Sequence, residues 1–565
     1  MSLLSSIQLA NNTLRAQQIG LQVTGQNIAN ANTPGYIRED VNFKALRTQR
    51  IGNLLLGLGV QVDSIVQKSD KFLDSRLRDA ISEQSSAEVE EQTYTQLEAL
   101  YGELSDTDLS SSLNNFFNTI SEILNQPESD AARNLAVLKG RTLAEDINRL
   151  ATRVGSLRKD LNDRVEKGID NVNRLLTTIG KLNIQIANTE GGDLSNSDAV
   201  GLRDQRNQAL TELAKLIDIT VTEQTSGSVS VYSSGDFLVL DDNVRQLIAQ
   251  PTSDRGGTIV EPRVEQTDFA IQFNGGEIAG LIKSRDQALG GFLDTLDSFA
   301  STMAYEFNKV FSSGQGLTGY SNITSINSVN SSTAELDEAG LDATPVNGTF
   351  DILVYNTQTQ ETQTTTIRVD LNGLNGDSTL ESVVADLNNV SGITATIDSQ
   401  GRVVLATNSK DQRIAFAKDS SGFLAAVGLN TFFTGSTARD IGVNKDIIAD
   451  PTKFAASFNG IGEDTQAAII LASFQDRPLT SQDGSSLSDL YDRMTSTITQ
   501  ASTIAKSVAE GSRVFKENLS GQSLAISGVN IDEEAIKMLR YQRVFQASAR
   551  YISALDELLQ ILVSL

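Results

Sequence analysis

The chain contains no cysteine, no histidine and no tryptophan in 565 residues. Without cysteine no disulfide can brace it, and the redox compartment leaves no mark. Without cysteine or histidine there is no Ser–His or Cys–His nucleophile and no thiolate or imidazole metal site. The usual proton shuttle near neutral pH is missing too. Only Asp/Glu, Lys, Tyr and Ser/Thr chemistry remains. No apolar run reaches the length of a membrane span. The first residues lack the basic start and unbroken apolar stretch of a cleaved signal peptide. Basic residues are outnumbered, 46 Lys and Arg against 71 Asp and Glu, for a formal net charge of −25. That argues against nucleic acid, whose phosphates need a basic footprint, and against an anionic membrane surface. No cofactor, metal or catalytic residue is assigned, and the balance favours a structural chain over an enzyme.

What is present starts with a helix. Ile7, Leu14, Leu21 and Ile28 recur every seven residues, with Leu3, Ala10, Gln17 and Thr24 between them. That spacing is a coiled-coil seam. It ends in Asn27-Ile28-Ala29-Asn30-Ala31-Asn32-Thr33-Pro34-Gly35-Tyr36. Asn30 and Asn32 suit a helix end, because Asn tolerates a left-handed backbone. Thr33 to Tyr36 fits a type II turn, with Pro second and Gly third, where φ must be positive. Taken alone, the stretch reads as a helix stop.

The middle alternates in character. Gly57 to Val62 reads as a glycine-punctuated strand, and 70–104 as a helix. Leu109 to Leu124 marks a shorter helix that Pro127 ends. A very long helical pattern follows through Leu143, Ile147, Leu150, Val154, Leu157, Leu161, Val165, Val172, Ile179 and Ile186. Its four-plus-four step at Leu157, Leu161 and Val165 resembles a stutter. Gly191-Gly192-Asp193 turns the chain, and a helix returns through Leu210 and Leu216. Val221, Val229, Val231, Phe237 and Val239 suggest a small hairpin over 219–240. From about Gly319 to Val443, Ser, Thr, Asn and Gly dominate a β-rich module with one or more helices. Helices then resume.

The last helix begins near Asn530, which can cap it, with Asp532 to Glu534 at its positive end. Its seam is Met538, Tyr541, Phe545, Ile552, Leu555, Leu559 and Leu562, with Ser548 at one position. Both termini are therefore amphipathic helices. The simplest architecture is multidomain and mainly α with inserted β. Residues 1–60 plus 525–565 form a paired, coiled-coil terminal domain. Residues 61–320 plus 445–524 form a long-helix bundle, and 321–444 an outer β-rich α+β module. The alternative is two unrelated helices packed on a globular core.

The two ends carry a resemblance. Asn27 to Tyr36 looks like the signature of flagellar rod, hook and hook-associated axial proteins. Ser527 to Glu534, with Tyr541-Gln542 and Gln546 to Ile552, resembles the carboxyl end of that family. Gly57 to Val62, Asp70 to Leu73, Leu77-Arg78, Leu113 to Phe117 and Phe423 to Gly435 favour a hook-associated member over hook and rod members. Relatives commonly carry a His within the segment matching Phe307 to Phe311, and this chain has none.

The resemblance implies a structural subunit of the bacterial flagellum, joining hook to filament as a short helical ring. Its terminal helices would pair and line the central channel. The implied partners are further copies of itself, the hook protein proximally and hook-associated protein 3 distally. A cytosolic export chaperone at the C-terminal helix and the flagellar type III export apparatus are implied as well. The implied location is extracellular, reached without a cleaved signal and without membrane insertion. Two other readings stay open. One is another axial component, hook or distal rod. The other is a carboxylate-type glycan hydrolase in the middle module, which needs two acids about 5–9.5 Å apart; no such pair is evident.

Three further motifs read as structural. Gly314 to Gly319 matches G-x-G-x-x-G, but a helix precedes it and a Ser/Asn-rich loop follows, the reverse of a dinucleotide fingerprint. Asp370 to Glu381 has the length of a calcium loop, but Leu374 and Asn375 occupy positions that need a ligand and a glycine. Ser156 to Lys159 lies within the long helix.

Overall fold

The computed structural model describes residues 3–51, 54–102, 109–190, 197–374 and 376–564. The expected turn at Gly191 to Asp193, the helix end at Leu104 and the loop residue Asn375 lie outside them. So do the side chains of Leu3 and Leu562.

In chain order, helix α1 (Leu3–Ala29) leads into strands β1 (Glu39–Ala45), β2 (Thr48–Ile51), β3 (Leu54–Gly57) and β4 (Val60–Gln67). Helices α2 (Lys71–Gly102), α3 (Leu109–Asn125), α4 (Asp130–Glu190) and α5 (Val200–Leu216) follow. At about 1.5 Å per residue, the 61 residues of α4 run on the order of 90 Å. Its buried stripe carries Ile147, Leu150, Val154, Leu161 and Val165. Leu157 is only half-buried and Arg158 takes the inward place, so the four-plus-four step falls at Leu150, Val154 and Arg158 and not at Leu157, Leu161 and Val165 as expected.

The hairpin expected over 219–240 is part of a larger β region. Strands β5 (Thr220–Glu223), β6 (Val229–Ser233), β7 (Asp236–Leu240) and β8 (Asn243–Val244) form one antiparallel sheet. Strands β9 (Leu247–Asp254), β10 (Gly257–Val264) and β11 (Phe269–Ala270) form another. Helix α6 (Gly276–Lys283), a π-turn (Ser284–Leu289) and helix α7 (Gly290–Ser312) come next.

The Ser/Thr-rich stretch is built on β12 (Asn322–Thr324), β13 (Gly348–Asn356), β14 (Thr362–Val369), α8 (Leu380–Asn388), β15 (Ile393–Ile397), β16 (Val403–Thr407) and β17 (Gln412–Ala417). Its strands make two three-stranded sheets, ordered β14-β13-β17 and β12-β16-β15. Phe350, Ile352, Ile367, Val383, Leu387, Val403, Leu405 and Phe416 form a shared core. Short helix α9 (Phe423–Val427), strands β18 (Phe433–Thr434) and β19 (Gly442–Val443), and helices α10 (Lys445–Ala449) and α11 (Gln466–Ala472) follow. Two long helices, α12 (Leu487–Ser527) and α13 (Ile531–Ser564), close the chain.

The chain divides into two compact units. One comprises residues 1–93, 159–285 and 503–565. The other comprises 94–158 and 286–502. The second unit centres on a cluster of aromatic rings, mostly tilted or edge-to-face: Phe116, Phe307, Phe311, Phe432, Phe433 and Phe454 meet at centroid distances of 4.8–6.0 Å. In the first unit the antiparallel β1–β4 ribbon supports α1. Helix α13 packs along α1 in the opposite direction, with Tyr541 beside Gly20 and Glu534 beside Asn27. Among the described residues no helix is long and apolar enough to cross a membrane.

Candidate assembly site

The stretch after α1 turns as its residues dictate. Tyr36 N donates to Thr33 O at 3.2 Å, and Gly35 sits at φ +80°, a backbone that side chains with a Cβ rarely adopt. Asn30 and Asn32 do not take the left-handed conformation suggested for them. Instead Asn30 stays on the helix end: its side chain donates to Gln26 O at 3.0 Å, and its carbonyl accepts from Thr33 N at 2.9 Å. Pro34 and Thr33 are exposed on the surface of the turn. Residues 30–36 line an open groove of about 480 Å³, shared with Leu524, Gly528, Val529, Asn530 and Glu533. The turn and the start of α13 thus face each other.

Beneath the groove lies a buried polar lock. Asn27 is 1% exposed and uses its whole side chain. Its Nδ2 donates to Glu39 O at 2.9 Å and Glu534 Oε2 at 3.0 Å. Its Oδ1 accepts from Tyr36 Oη at 2.8 Å and Glu39 N at 3.0 Å. Two donors and two acceptors saturate the amide. Arg38 Nε and Nη2 both donate to Glu534 Oε1, at 2.9 and 2.7 Å, and Nη2 reaches Glu533 Oε2 at 3.0 Å. Burial opposes the guanidinium charge, but its bonds to Glu534 and Glu533 outweigh this and its pKa is raised. Lys537 completes the set, 3.4 Å from Glu534 and 3.2 Å from Asp40. The main chain adds a tie, Arg38 N to Ser527 O at 2.9 Å. Asn530 caps α13 as expected, accepting from Asp532 N at 3.0 Å and Glu533 N at 3.3 Å.

A pair of acids flanks the lock, Glu39 buried and Asp204 half-buried. Asp204 on α5 accepts from Gln67 Nε2 at 2.6 Å, and burial pushes its pKa up to about 6. Burial, then the neighbouring Asp204 charge, raises Glu39. Burial and the surrounding acids Glu39, Asp204 and Glu534 raise Tyr36 as well. The cluster joins turn, ribbon and α5 through groups that suit hydrogen bonding.

Along the helix pair, the C-terminal seam lies inward. Leu555 is 5% exposed, and Met538, Tyr541, Phe545, Ile552 and Leu559 are half-buried. On α1 the buried stripe is instead Ser6, Ala10, Gln17, Gly20, Thr24 and Asn27, while Ile7, Leu14, Leu21 and Ile28 are half-buried beside it. The reason is steric. A Cβ on Gly20 would stand 3.1 Å from the Tyr541 ring, so the large α13 side chains need small partners. Helix α13 also has a second apolar face. Ile536, Leu539, Val544, Tyr551, Leu558 and Ile561 are 36–68% exposed. At 3.6 residues per turn Ile536, Leu539 and Ile561 fall on the far side of the helix from the inward seam, and Val544, Tyr551 and Leu558 flank it, about 80° to one side.

Arg38, Glu39, Gln67, Asp204, Glu534 and Lys537 are members of the site that the sequence did not single out. The signal for Glu534 was its place among the acids of the first turn, which reads equally well as a response to the helix dipole.

The two ends that meet in this hairpin both match families of flagellar axial proteins. Residues 7–36 match the family "Flagella basal body rod protein", and 520–565 match "Flagellar basal body rod FlgEFG protein C-terminal". Residues 94–325 match "Flagellar hook-associated protein FlgK helical domain". Flagellar hook-associated protein 1 of Escherichia coli K12 is 25% identical over 585 residues, covering 99% of this chain and all of the relative. That of Bacillus subtilis 168 is 29% identical over 308 residues, 52% of this chain and 57% of the relative. The flagellar hook junction protein FlgK from Burkholderia pseudomallei has a similar fold, with a TM-score of 0.50 at 14% identity, covering 80% of this chain and all of that one. Over nearly its whole length the chain is thus similar to flagellar hook-associated protein 1.

Proposed function

We propose that this chain is a structural subunit at the hook–filament junction of the flagellum, assembled as a short helical ring through a coiled coil of α1 and α13. The observation that carries the reading is that α13 carries apolar side chains on its inward seam and also beside and behind it. The seam faces α1, and the rest lies open with six large side chains exposed. Such a surface is characteristic of a helix that is covered in an assembly. The exposed side of α1 suits a wetted channel wall. It presents Gln8, Asn11, Arg15, Gln18, Gln22 and Gln26, with one charge among them.

In this reading the terminal domain (1–60 plus 525–565) lies innermost, the helical domain (61–320 plus 445–524) next and the β-rich module (321–444) outermost. The hook protein lies on the proximal side and hook-associated protein 3 on the distal side. The chain leaves the cell through the type III export apparatus, with a chaperone held at the C-terminal helix. The family is structural, and no catalytic role is assigned to the middle module.

The test is the double substitution Leu555→Asp and Leu559→Asp. The expected result is loss of incorporation at the hook tip, with the β-rich module still folded and loss of motility. Normal motility would refute the coiled-coil role. A chaperone pull-down on the same variant separates failed pairing from failed delivery. The rod-named matches at both ends fit hook and rod relatives as well. Immuno-electron microscopy distinguishes them: a short band favours the junction, and labelling along the hook favours hook protein.

A further inference from the structure

The open face of α13 has a counterpart elsewhere on the same hairpin. Val544, Tyr551 and Leu558 recur every seven residues on α13, all exposed. Ile7, Leu14, Leu21 and Ile28 recur every seven on α1, all half-buried. The α1 stripe lies between the small-residue face that meets α13 and the amide face formed by Gln8, Asn11, Gln18, Gln22 and Gln26. Two apolar stripes of equal period on different sides of one hairpin can interlock only between copies.

The polar groups beside the stripes agree. Arg540, Arg543 and Arg550 lie on the exposed side of α13 near the open stripe. Guanidinium groups only donate hydrogen bonds. Helix α1 carries no acid, and Arg15 is its single charge. Its amide row supplies neutral acceptors beside the apolar stripe. A symmetric contact between two α13 faces would instead bring arginines against arginines, a like-charge arrangement that costs stability.

We propose that the open face of α13 seats against the Ile7–Leu14–Leu21–Ile28 flank of α1 on the next copy, so that copies join head to tail. This rests on the reading that the chain self-assembles through its terminal hairpin. A heterologous contact of this kind closes into a ring or climbs as a helix, and each added copy presents the same free stripe to the next.

The test uses complementary charges in cells that lack the native chain. One allele carries Leu14→Lys and Leu21→Lys. The other carries Tyr551→Glu and Leu558→Glu. Assembly is the amount of the full chain retained in purified flagella. Circular dichroism and thermal melting first verify that each purified variant is folded, and the milder pair Leu14→Gln and Tyr551→Gln replaces any that is not. Each allele alone is expected to lower assembly at least about tenfold, because Lys or Glu meets an apolar stripe. Together they are expected to restore it to within about twofold of wild type. Alternating copies then pair Lys stripes with Glu stripes and wild-type stripes with each other.

Normal assembly by the Lys allele alone would remove the α1 flank from the interface and overturn the proposal, leaving self-assembly intact. Loss in both alleles without rescue would overturn head-to-tail pairing. Normal assembly by both alleles alone would overturn the proposal and the hairpin-driven ring together.

Discussion

Removing one member of the buried lock is expected to loosen the terminal hairpin far more than removing two. Glu534 is 1% exposed and accepts from Arg38 twice and from Asn27 once. Glu534→Ala strands the Arg38 guanidinium, itself buried, and one Asn27 donor. Breaking a buried pair in this way costs about 3–5 kcal/mol. The lower end applies, because Glu533 still reaches Arg38 and Asp40 still holds Lys537. A loss of about 3 kcal/mol corresponds to an increase on the order of 100-fold in local opening. Amide hydrogen exchange reads it at residues 20–29 of α1 and 534–545 of α13, the segments nearest the lock. The double variant Arg38→Met with Glu534→Leu removes both charges and is expected to stay within about 1 kcal/mol of wild type, since apolar replacement of a buried pair is often neutral. Two results would refute the reasoning. If these segments exchange freely in the wild-type chain, the lock does not hold the free subunit. If the double variant opens as readily as Glu534→Ala, the loss comes from packing and not from a stranded charge.

Three other expectations concern separate parts of the molecule. Asp204 is raised from 3.8 to about 6 by burial, so its contribution is fully present below about pH 4 and lost as pH rises through 6. Asp204→Asn is therefore expected to stabilise the first unit at pH 7 by up to about 3 kcal/mol and to have little effect near pH 4, read by paired thermal melts; a stabilisation equal at both pH values would exclude titration as its cause. Gly140→Val places a Cβ 2.5 Å from Phe432 Cζ and 2.9 Å from Phe116 Cε2; overpacking is expected to cost the ring core about 2–3 kcal/mol, visible as an earlier melting of the second unit. Pro34→Ala with Gly35→Val forces a branched residue into a positive φ, at about 1–2 kcal/mol, and is expected to leave the β-rich module folded while incorporation into flagella falls; unchanged assembly would return the turn to a plain helix stop.

The legible parts of the sequence were those where one segment's pattern suffices. The turn at Thr33 to Tyr36 follows from Pro and Gly chemistry, and the α13 seam follows from large side chains at heptad spacing. The cap at Asn530 is local in the same sense. The buried face of α1 was harder to see. A search for large apolar residues finds Ile7 to Ile28, but the stripe pressed on α13 is Ser6, Ala10, Gln17, Gly20, Thr24 and Asn27. Those residues are inward because Tyr541 and Phe545 are bulky, and a property of the partner helix leaves no period in α1 itself. The lock was hidden for a related reason. Arg38 and Glu534 are 496 positions apart, and each has a local explanation as a surface charge. Asp204 showed no local signal at all. In the β region, β9 and β10 run through Pro251 and Pro262, residues that single-sequence reasoning takes as strand breakers.

That separation has a consequence for the order of events. Every contact across the hairpin joins residues about 500 positions apart, such as Asn27 with Glu534. In an unfolded chain, closing so long a loop is entropically costly before any contact forms. Once the rest of the first unit has folded, the ribbon fixes where α1 begins its turn, and Ser527 is bonded to Arg38 only when α12 is in place. The two ends then meet over a short remaining gap. The terminal pair is thus the element whose stability depends most on structure formed elsewhere. Most helical stability in proteins comes from packing of an apolar face, and α13 leaves Ile536, Leu539, Val544, Tyr551, Leu558 and Ile561 exposed even when paired. Docking of the next copy supplies the missing cover, which makes incorporation and final ordering of the chain ends one coupled step.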